Sequence, residues 1–402
     1  MKNRMEKKAL IKEEHAMTAE RGKAFGPTKK LLGVLTFLKK DPVLTVSWIL
    51  AIGSAFWIPP DSAYLDYLDL QTLGLLFCLM TITGGLQNMG IFSRIGGNLI
   101  RHVANTASLA GILVALCFFS SMIITNDVAL ITFVPFTMVI LDMVGKKEKM
   151  IPVVTMQTIA ANLGSMVTPI GNPQNLYLYS QTDMGLIPFI RITLPYAAVT
   201  AFFLLLFLAV QKKEKIHHVE IRMDRQVRSR KKEWMYAFLF LLALGVIIRL
   251  IPMAPVFFLT AVAVAVADRN ALKKVDYALL LTFIGFFIFI GNMKRIPWFC
   301  QMLTEVVKGN EVLTAVITSQ VISNVPSALL LSGFTDKVRE LVIGTNLGGL
   351  GTLIASMASL ISYKQVVLRF PERKGAYLIY FTVANVVLLA ILLAFHYLVM
   401  AY

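Results

Sequence analysis

Four polar clusters interrupt an otherwise apolar sequence. Residues 121–126 read SMIITN and are followed by Asp127; residues 319–324 read SQVISN and are followed by Val325. Residues 162–176 read NLGSMVTPIGNPQNL, and residues 346–360 read NLGGLGTLIASMASL. These residue types suit recognition of an ion or small solute. Asn and Thr supply donors and acceptors without fixing a full charge, which fits a site that must bind and release. Gly164, Thr168-Pro169 and Gly171-Asn172-Pro173 break a helix, because Pro removes a donor and Gly lowers the cost of leaving helical geometry. Gly348, Gly349 and Gly351 do the same in the second copy without proline. Carbonyls freed in this way can hold a cation, and freed N–H groups an anion. In the first pair of clusters a helix begins beside Asn126-Asp127 and beside Asn324-Val325. Two helix N-termini meeting there make an anion site without a buried Arg or Lys. Asp127 is the only acidic residue expected deep in the apolar part of the chain. A carboxylate there binds Na⁺, carries a proton, or caps its helix while ionised.

Other chemistry is poorly represented. His15, His102, His217, His218 and His396 form no HExxH or similar ligand spacing, so no transition-metal site is expected. Cys78, Cys117 and Cys300 are too scattered for a CxxC pair. An intramembrane aspartyl protease needs two membrane aspartates, and a serine protease a basic partner at depth; neither is present. No cofactor is implied, and an enzyme is a remote alternative.

The elements that must carry these clusters are set by composition. Of 402 residues, 57% are hydrophobic and 15% charged, against roughly 25% charged in a soluble domain. So few charges cannot cover two or three soluble domains, and lipid is the expected solvent. The net charge of +16 then reports topology rather than nucleic-acid binding. Apolar stretches long enough to cross a bilayer occupy roughly 43–59, 71–90, 150–177, 187–210, 234–252, 254–268, 277–293, 337–363 and 375–400. Two more, 106–144 and 310–333, are interrupted by the first two polar clusters. They fit re-entrant hairpins whose tips are buried in protein. With the N-terminus inside, the inside segments hold 32 Lys and Arg and the outside segments 7, which supports that orientation. The expected fold is an all-α polytopic membrane protein of about nine spans plus two hairpins, N-terminus cytoplasmic and C-terminus outside. A basic segment at 1–42 precedes a first transmembrane unit at 43–210. A basic linker at 211–233 leads to a second unit at 234–402. Residues 24–40 read as an interfacial helix or a shortened span.

The two units resemble each other. Six of fifteen positions match between 162–176 and 346–360, including Asn162/Asn346, Gly164/Gly348 and Thr168/Thr352. Each segment follows a polar hairpin tip, and the charge rule runs the units in opposite senses. That predicts two inverted repeats, each with a re-entrant hairpin and a broken transmembrane helix.

On ITNDVALITFVPF at 124–136, ANLGSMVTPIGNPQN at 161–175, ISNVPSALLL at 322–331 and TNLGGLGTLIASMASL at 345–360, the chain resembles the ion transporter superfamily. That group includes arsenite permeases, sodium–proton antiporters of one class, citrate transporters and divalent anion–sodium symporters. The resemblance implies substrate between the hairpin tips, cations between each tip and its broken helix, and a homodimer. Substrate would then meet Thr125, Asn126, Asp127, Asn172, Ser323, Asn324, Val325 and Thr352. The coupling cation would meet Asp127, Asn126, Asn162, Gly164, Thr168, Gly171, Asn324, Asn346, Gly348 and Gly351. The anion symporters carry Ser-Asn-Thr at both tips; Asp127 and Val325 depart from it, and a Thr-Asn-Asp tip is closer to the arsenite permeases. The expected function is secondary active transport of a small anion, either a carboxylate such as citrate or a dicarboxylate, or an oxyanion such as arsenite. Coupling would be to H⁺ or Na⁺, in a bacterial-type plasma (inner) membrane. The alternative is a sodium–proton antiporter with Asp127 as the exchanging group. The expected partners are the anionic solute and membrane lipid, with no nucleic acid.

Overall fold

The computed structural model describes residues 42–100, 103–216 and 229–400. The expectations for residues 1–41, among them the segment 24–40, and for linker residues 217–228 lie outside the described residues. Among the described residues the chain is helical, with one isolated bridge between Asn105 and Lys215 and no strand.

The first run of helices is α1 (Pro42–Ala55), α2 (Leu70–Asn88), α3 (Ile91–Ile100), α4 (Thr106–Ser120), α5 (Asn126–Met143), α6 (Met150–Ser165), α7 (Pro173–Ser180) and α8 (Leu186–Ala209). The second is α9 (Arg230–Ile247), α10 (Met253–Ala267), α11 (Tyr277–Lys294), α12 (Pro297–Val307), α13 (Glu311–Ile322), α14 (Asn324–Ser332), α15 (Val338–Leu347), α16 (Met357–Arg369) and α17 (Lys374–Phe395). From α2 and again from α11 the order is the same: a long helix, a short helix, a helical hairpin, a helix broken by a 3₁₀ turn, and a long final helix. Local chemistry recurs too. The Asp69 carboxylate accepts from Thr72 N at 2.9 Å to cap α2, and the Asp276 carboxylate accepts from Leu279 N at 3.0 Å to cap α11. Both bonds satisfy N–H groups that a helix start leaves without partners.

The apolar stretches read from the sequence coincide with these helices. The short helices α3 and α12 fall between those stretches. Their apolar residues sit on one stripe of a ten- or eleven-residue helix, too short and too polar to read as a span. Among the described residues five helical stretches are long and apolar enough to cross a membrane: α2, α5, α8, α11 and Pro371–Val399, which contains α17. The arm α5, with Pro135 inside it, is thus span-length in its own right. Ile52, Phe202, Leu205, Leu241, Phe258 and Val383 stand exposed on the outer surface. Such an apolar perimeter is stable in lipid and not in water. The chain is an all-helical polytopic membrane protein.

Packing crosses between the two runs reciprocally. α1 lies along α11, and α10 along α2. Each hairpin's first arm packs on the first part of its own broken helix, α4 on α6 and α13 on α15. Each hairpin's second arm packs on the second part of the other broken helix, α5 on α16 and α14 on α7. Both hydrophobic cores consequently draw residues from both runs. Outside the spans, the Lys146 ammonium bonds the Glu214 carboxylate and holds that carboxyl below its usual range.

The close fit of α6 on α4 depends on glycine. A Cβ at Gly164 would stand 2.3 Å from the Phe118 carbonyl oxygen and 2.7 Å from Ser121 Oγ. Gly375, in the first turn of α17, has nothing within 4 Å of such a Cβ. Gly164→Ala is expected to lower stability by about 1–3 kcal/mol, the usual cost of overpacking. Gly375→Ala is expected to be neutral or stabilising by up to about 1 kcal/mol, since Ala favours helix. Thermal unfolding of the purified variants in detergent measures both. Equal midpoints for the two would contradict this packing.

Candidate functional site

The two hairpin tips are built differently and end in the same place. Residues Ser121 to Thr125 carry the chain from α4 to α5. Ser323 alone carries it from α13 to α14, with φ 75°, a conformation that non-glycine residues rarely adopt. Both tips line one cavity of about 360 Å³, through Thr125 and Asp127 on one side and Ser323 and Val325 on the other. Asn172, between the 3₁₀ turn and α7, lines it too. The structure therefore brings together five of the eight residues expected at the substrate. Asn126 and Asn324, each 4% exposed, lie behind the tips outside the cavity lining, and Thr352 faces elsewhere, bonded to Gln320.

Behind the cavity lies a buried amide network with a reciprocal plan. The Asn162 side chain on α6 accepts from Asn126 Nδ2 at 3.1 Å and from Ser356 Oγ at 3.1 Å. It donates to Ser359 Oγ at 3.3 Å and to the Gly349 carbonyl at 3.5 Å. All four hydrogen-bonding positions of the amide are filled. Its counterpart Asn346 on α15 accepts from Asn172 Nδ2 at 2.9 Å and donates to Asn175 Oδ1 at 2.6 Å and the Val342 carbonyl at 2.7 Å. In the aligned segments Asn172 and Asn175 stand where Ser356 and Ser359 stand. Each broken helix thus grips the other at matching positions.

The carbonyls released by the breaks are also occupied. Asn175 Nδ2 lies 3.1 Å from the Met166 carbonyl, 3.3 Å from that of Thr168 and 3.5 Å from that of Ser165. In the second break, Gln320 Nε2 donates to the carbonyls of Gly348 at 3.0 Å and Leu350 at 2.9 Å, and Gln320 Oε1 accepts from Thr352 N at 2.9 Å. Thr168 Oγ1 donates to the Met122 carbonyl at 2.6 Å, and Thr352 Oγ1 to the Gln320 carbonyl at 3.5 Å, again matching positions. Gly171 and Gly351 are required sterically. A Cβ at Gly171 would stand 2.0 Å from the Ser165 carbonyl oxygen, and one at Gly351, whose φ is 101°, 2.4 Å from Gln320 Oε1. Of the residues expected to hold a cation, Asp127 lines the cavity instead, and the others lie at the breaks or directly behind the tips; there Asn126 and Asn162 bond each other, while Asn346, Thr168 and Gly348 bond Asn172, Asn175 and Gln320. Gln320 is not distinguished by the sequence pattern, because Met122 occupies the corresponding place.

The charged groups of the cavity are Asp127, Asp276 and Lys274, with Gln87 beside them. Asp127 sits in the first turn of α5, and among the described residues no hydrogen bond engages its carboxylate; Asn126 Oδ1 accepts from the Asp127 N–H at 2.9 Å instead. The carboxylate lines the cavity without capping the helix. Lys274, Asp276 and Gln87 come from the ends of α2 and α11. In the sequence they read as ordinary helix-boundary residues, and only the packing of α2 against the segment before α11 assembles them.

Comparison with known proteins places this arrangement. Residues 31–340 match the model of a family described as citrate transporter. The chain belongs to the citrate transporter family. That match takes in both hairpins and the first broken helix of this citrate transporter family member. An uncharacterized transporter of Methanocaldococcus jannaschii is 32% identical over 298 residues, 73% of this chain and 80% of that one. The inner membrane protein YbiR of Escherichia coli is 30% identical over 347 residues, 83% of this chain and 90% of its own. The silicon efflux transporter LSI3 of Oryza sativa subsp. japonica is 32% identical over a shorter stretch of 139 residues, 34% of this chain and 28% of its own. The family and these names indicate a transporter rather than an enzyme.

The second break tests the amide network. Gln320→Met keeps the volume and removes the bonds to Gly348, Leu350 and Thr352. Buried groups left unpaired cost about 1–3 kcal/mol, so the thermal midpoint in detergent is expected to fall. Gln320→Glu, which cannot donate to the two carbonyls, is expected to fall as far. A midpoint unchanged in both would show that Gln320 does not hold the break.

Proposed function

We propose that this family member is a secondary active transporter of a small anion, a carboxylate such as citrate or a dicarboxylate or an oxyanion such as arsenite, driven by H⁺ or Na⁺. The observation that carries this reading is the single cavity lined by both hairpin tips and Asn172. Helix N-termini there direct N–H groups and partial positive charge at the solute. The reciprocal contacts of α6 and α15 support two inverted repeats rocking about a fixed site.

Coupling follows from charge. Among the described residues the cavity is lined by two carboxylates and one ammonium. An anion entering it is opposed by the Asp127 carboxylate until a proton or a cation neutralises that group. The carbonyls at both breaks are already bonded to Asn175 and Gln320, and the Asn162 amide is saturated. That favours a proton on Asp127 over Na⁺ held at the breaks. The sodium–proton antiporter reading is favoured by the same carboxylates, Asp127 and Asp276, facing one cavity.

The charge rule puts the N-terminus and the segment 268–276 inside a bacterial-type plasma membrane, and the C-terminus outside. On that reading Lys274 and Asp276 favour a cavity reached from the inner side, an inward-facing state. Asp183→Cys is expected to react with an impermeant thiol reagent only from outside, and Lys213→Cys only from inside. Labelling of both from one face would contradict the inverted arrangement.

The coupling test is uptake into proteoliposomes from citrate, dicarboxylate and arsenite, each with and without a pH or Na⁺ gradient. Asp127→Asn keeps the shape and cannot ionise. It is expected to abolish acceleration by the driving gradient, with residual uptake insensitive to pH. An unchanged pH and Na⁺ profile would remove Asp127 from coupling. Cation exchange by the native chain with no anion moved would establish the antiporter instead.

A further inference from the structure

A second, wider cavity of about 680 Å³ adjoins the one between the tips, and Lys274 lines both. Among the described residues the wider cavity is polar and basic, with Lys232, Lys273 and Lys274 set against the carboxylate of Asp268, and Asn88 and Asn270 beside them. Asp268 is already engaged: it accepts from Tyr236 Oη at 3.1 Å and pairs with Lys232 at 3.5 Å. Among the described residues the Lys274 ammonium makes neither an ion pair nor a hydrogen bond. In the tip cavity it is the one cationic side chain among the described lining residues, which also include Asp127 and Asp276.

The backbone beneath Lys274 is held firmly. A Cβ at Gly84 would stand 2.8 Å from Lys274 Cβ and 3.7 Å from the Ala271 carbonyl oxygen, so the segment rests directly on α2. Ala271 and Val275 are buried on either side of it, and Asp276 caps α11. The stem is thus anchored while the ammonium, a compact charge with three donors on a flexible chain, is free to serve either cavity. A cavity with unpaired lysines concentrates anions near its walls. An anion that moved on past two carboxylates with no positive partner would be strongly disfavoured.

We infer that Lys274 is the residue that receives the anionic solute, binding its carboxylate or oxyanion group in the wide basic cavity and remaining its positive partner in the cavity between the tips. This rests on the anion-transport reading above and assigns that site its recognition residue. It also explains why a cavity with two carboxylates can accept an anion at all.

The test is calorimetric titration of the purified native chain in detergent with citrate, sulfate and arsenite, followed by the same titration of Lys274→Gln, Lys274→Arg and Lys308→Gln. For whichever probe the native chain binds, Lys274→Gln is expected to weaken binding at least tenfold and to flatten its dependence on ionic strength. Lys274→Arg and Lys308→Gln, the latter an exposed lysine outside both cavities, are expected to stay within threefold, with all thermal midpoints near native. Binding by Lys274→Gln weakened less than threefold would overturn the inference and leave anion transport standing. Equal losses in Lys274→Gln and Lys274→Arg would also overturn it, because charge would not be what the site reads. A native chain that binds none of the three probes would overturn the anion reading and this inference with it.

Discussion

Within a membrane, every backbone N–H and carbonyl must find a partner inside the protein, because lipid offers none. This chain breaks two helices, between Ser165 and Pro173 and between Leu347 and Met357, and so releases carbonyls where water is scarce. The side-chain amides of Asn175 and Gln320 cover those carbonyls. Asn162 and Asn346 then tie each break to the opposite broken helix. A net contribution of about 1 kcal/mol per bond is modest, but each amide removed would leave several groups unpaired. The hairpin tips take their positions from this lattice, since Asn126 is bonded to Asn162 and Asn324 lies against Gly349.

The lattice is reciprocal and the cavity in front of it is not. Asp127 faces Val325 across corresponding tip positions, and a five-residue tip faces a one-residue tip; within the lattice the carbonyl cover departs from the reciprocal pattern, since Gln320 stands where the first hairpin has Met122. Symmetry in the support with asymmetry in the lining suits a site that must keep one shape while distinguishing a solute from its coupling ion. The charged lining comes from neither hairpin alone: Lys274 and Asp276 belong to the approach to α11, while Asp127 belongs to α5.

Much of this was legible in the sequence. Long apolar runs gave the spans, because lipid demands them, and polar residues inside two such runs marked the hairpins. The match of Asn162 with Asn346 and Thr168 with Thr352 identified residues that do make corresponding contacts. The roles were harder to read than the positions. Nothing in a single sequence says that Asn162 spends its amide on Ser356, Ser359, Gly349 and Asn126, because those partners lie up to 197 residues away. Helices α3 and α12 escaped notice because a ten-residue amphipathic stripe carries a weak apolar signal. Lys274, Asp276 and Gln87 escaped because each is an ordinary residue at a helix end, and only tertiary packing turns those ends toward one cavity.

The central claim is that both tips face one solute site. It is tested most directly by solute protection of cysteines placed on each tip. Thr125→Cys and Val325→Cys would be made singly in a chain with Cys300→Ser, leaving only the buried Cys78 and Cys117 as native thiols. Their alkylation rates would be measured with and without citrate, an anion proposed above as solute. The account predicts that the anion slows both reactions at the same half-saturating concentration. Protection of one tip alone, or of neither, would contradict a shared site.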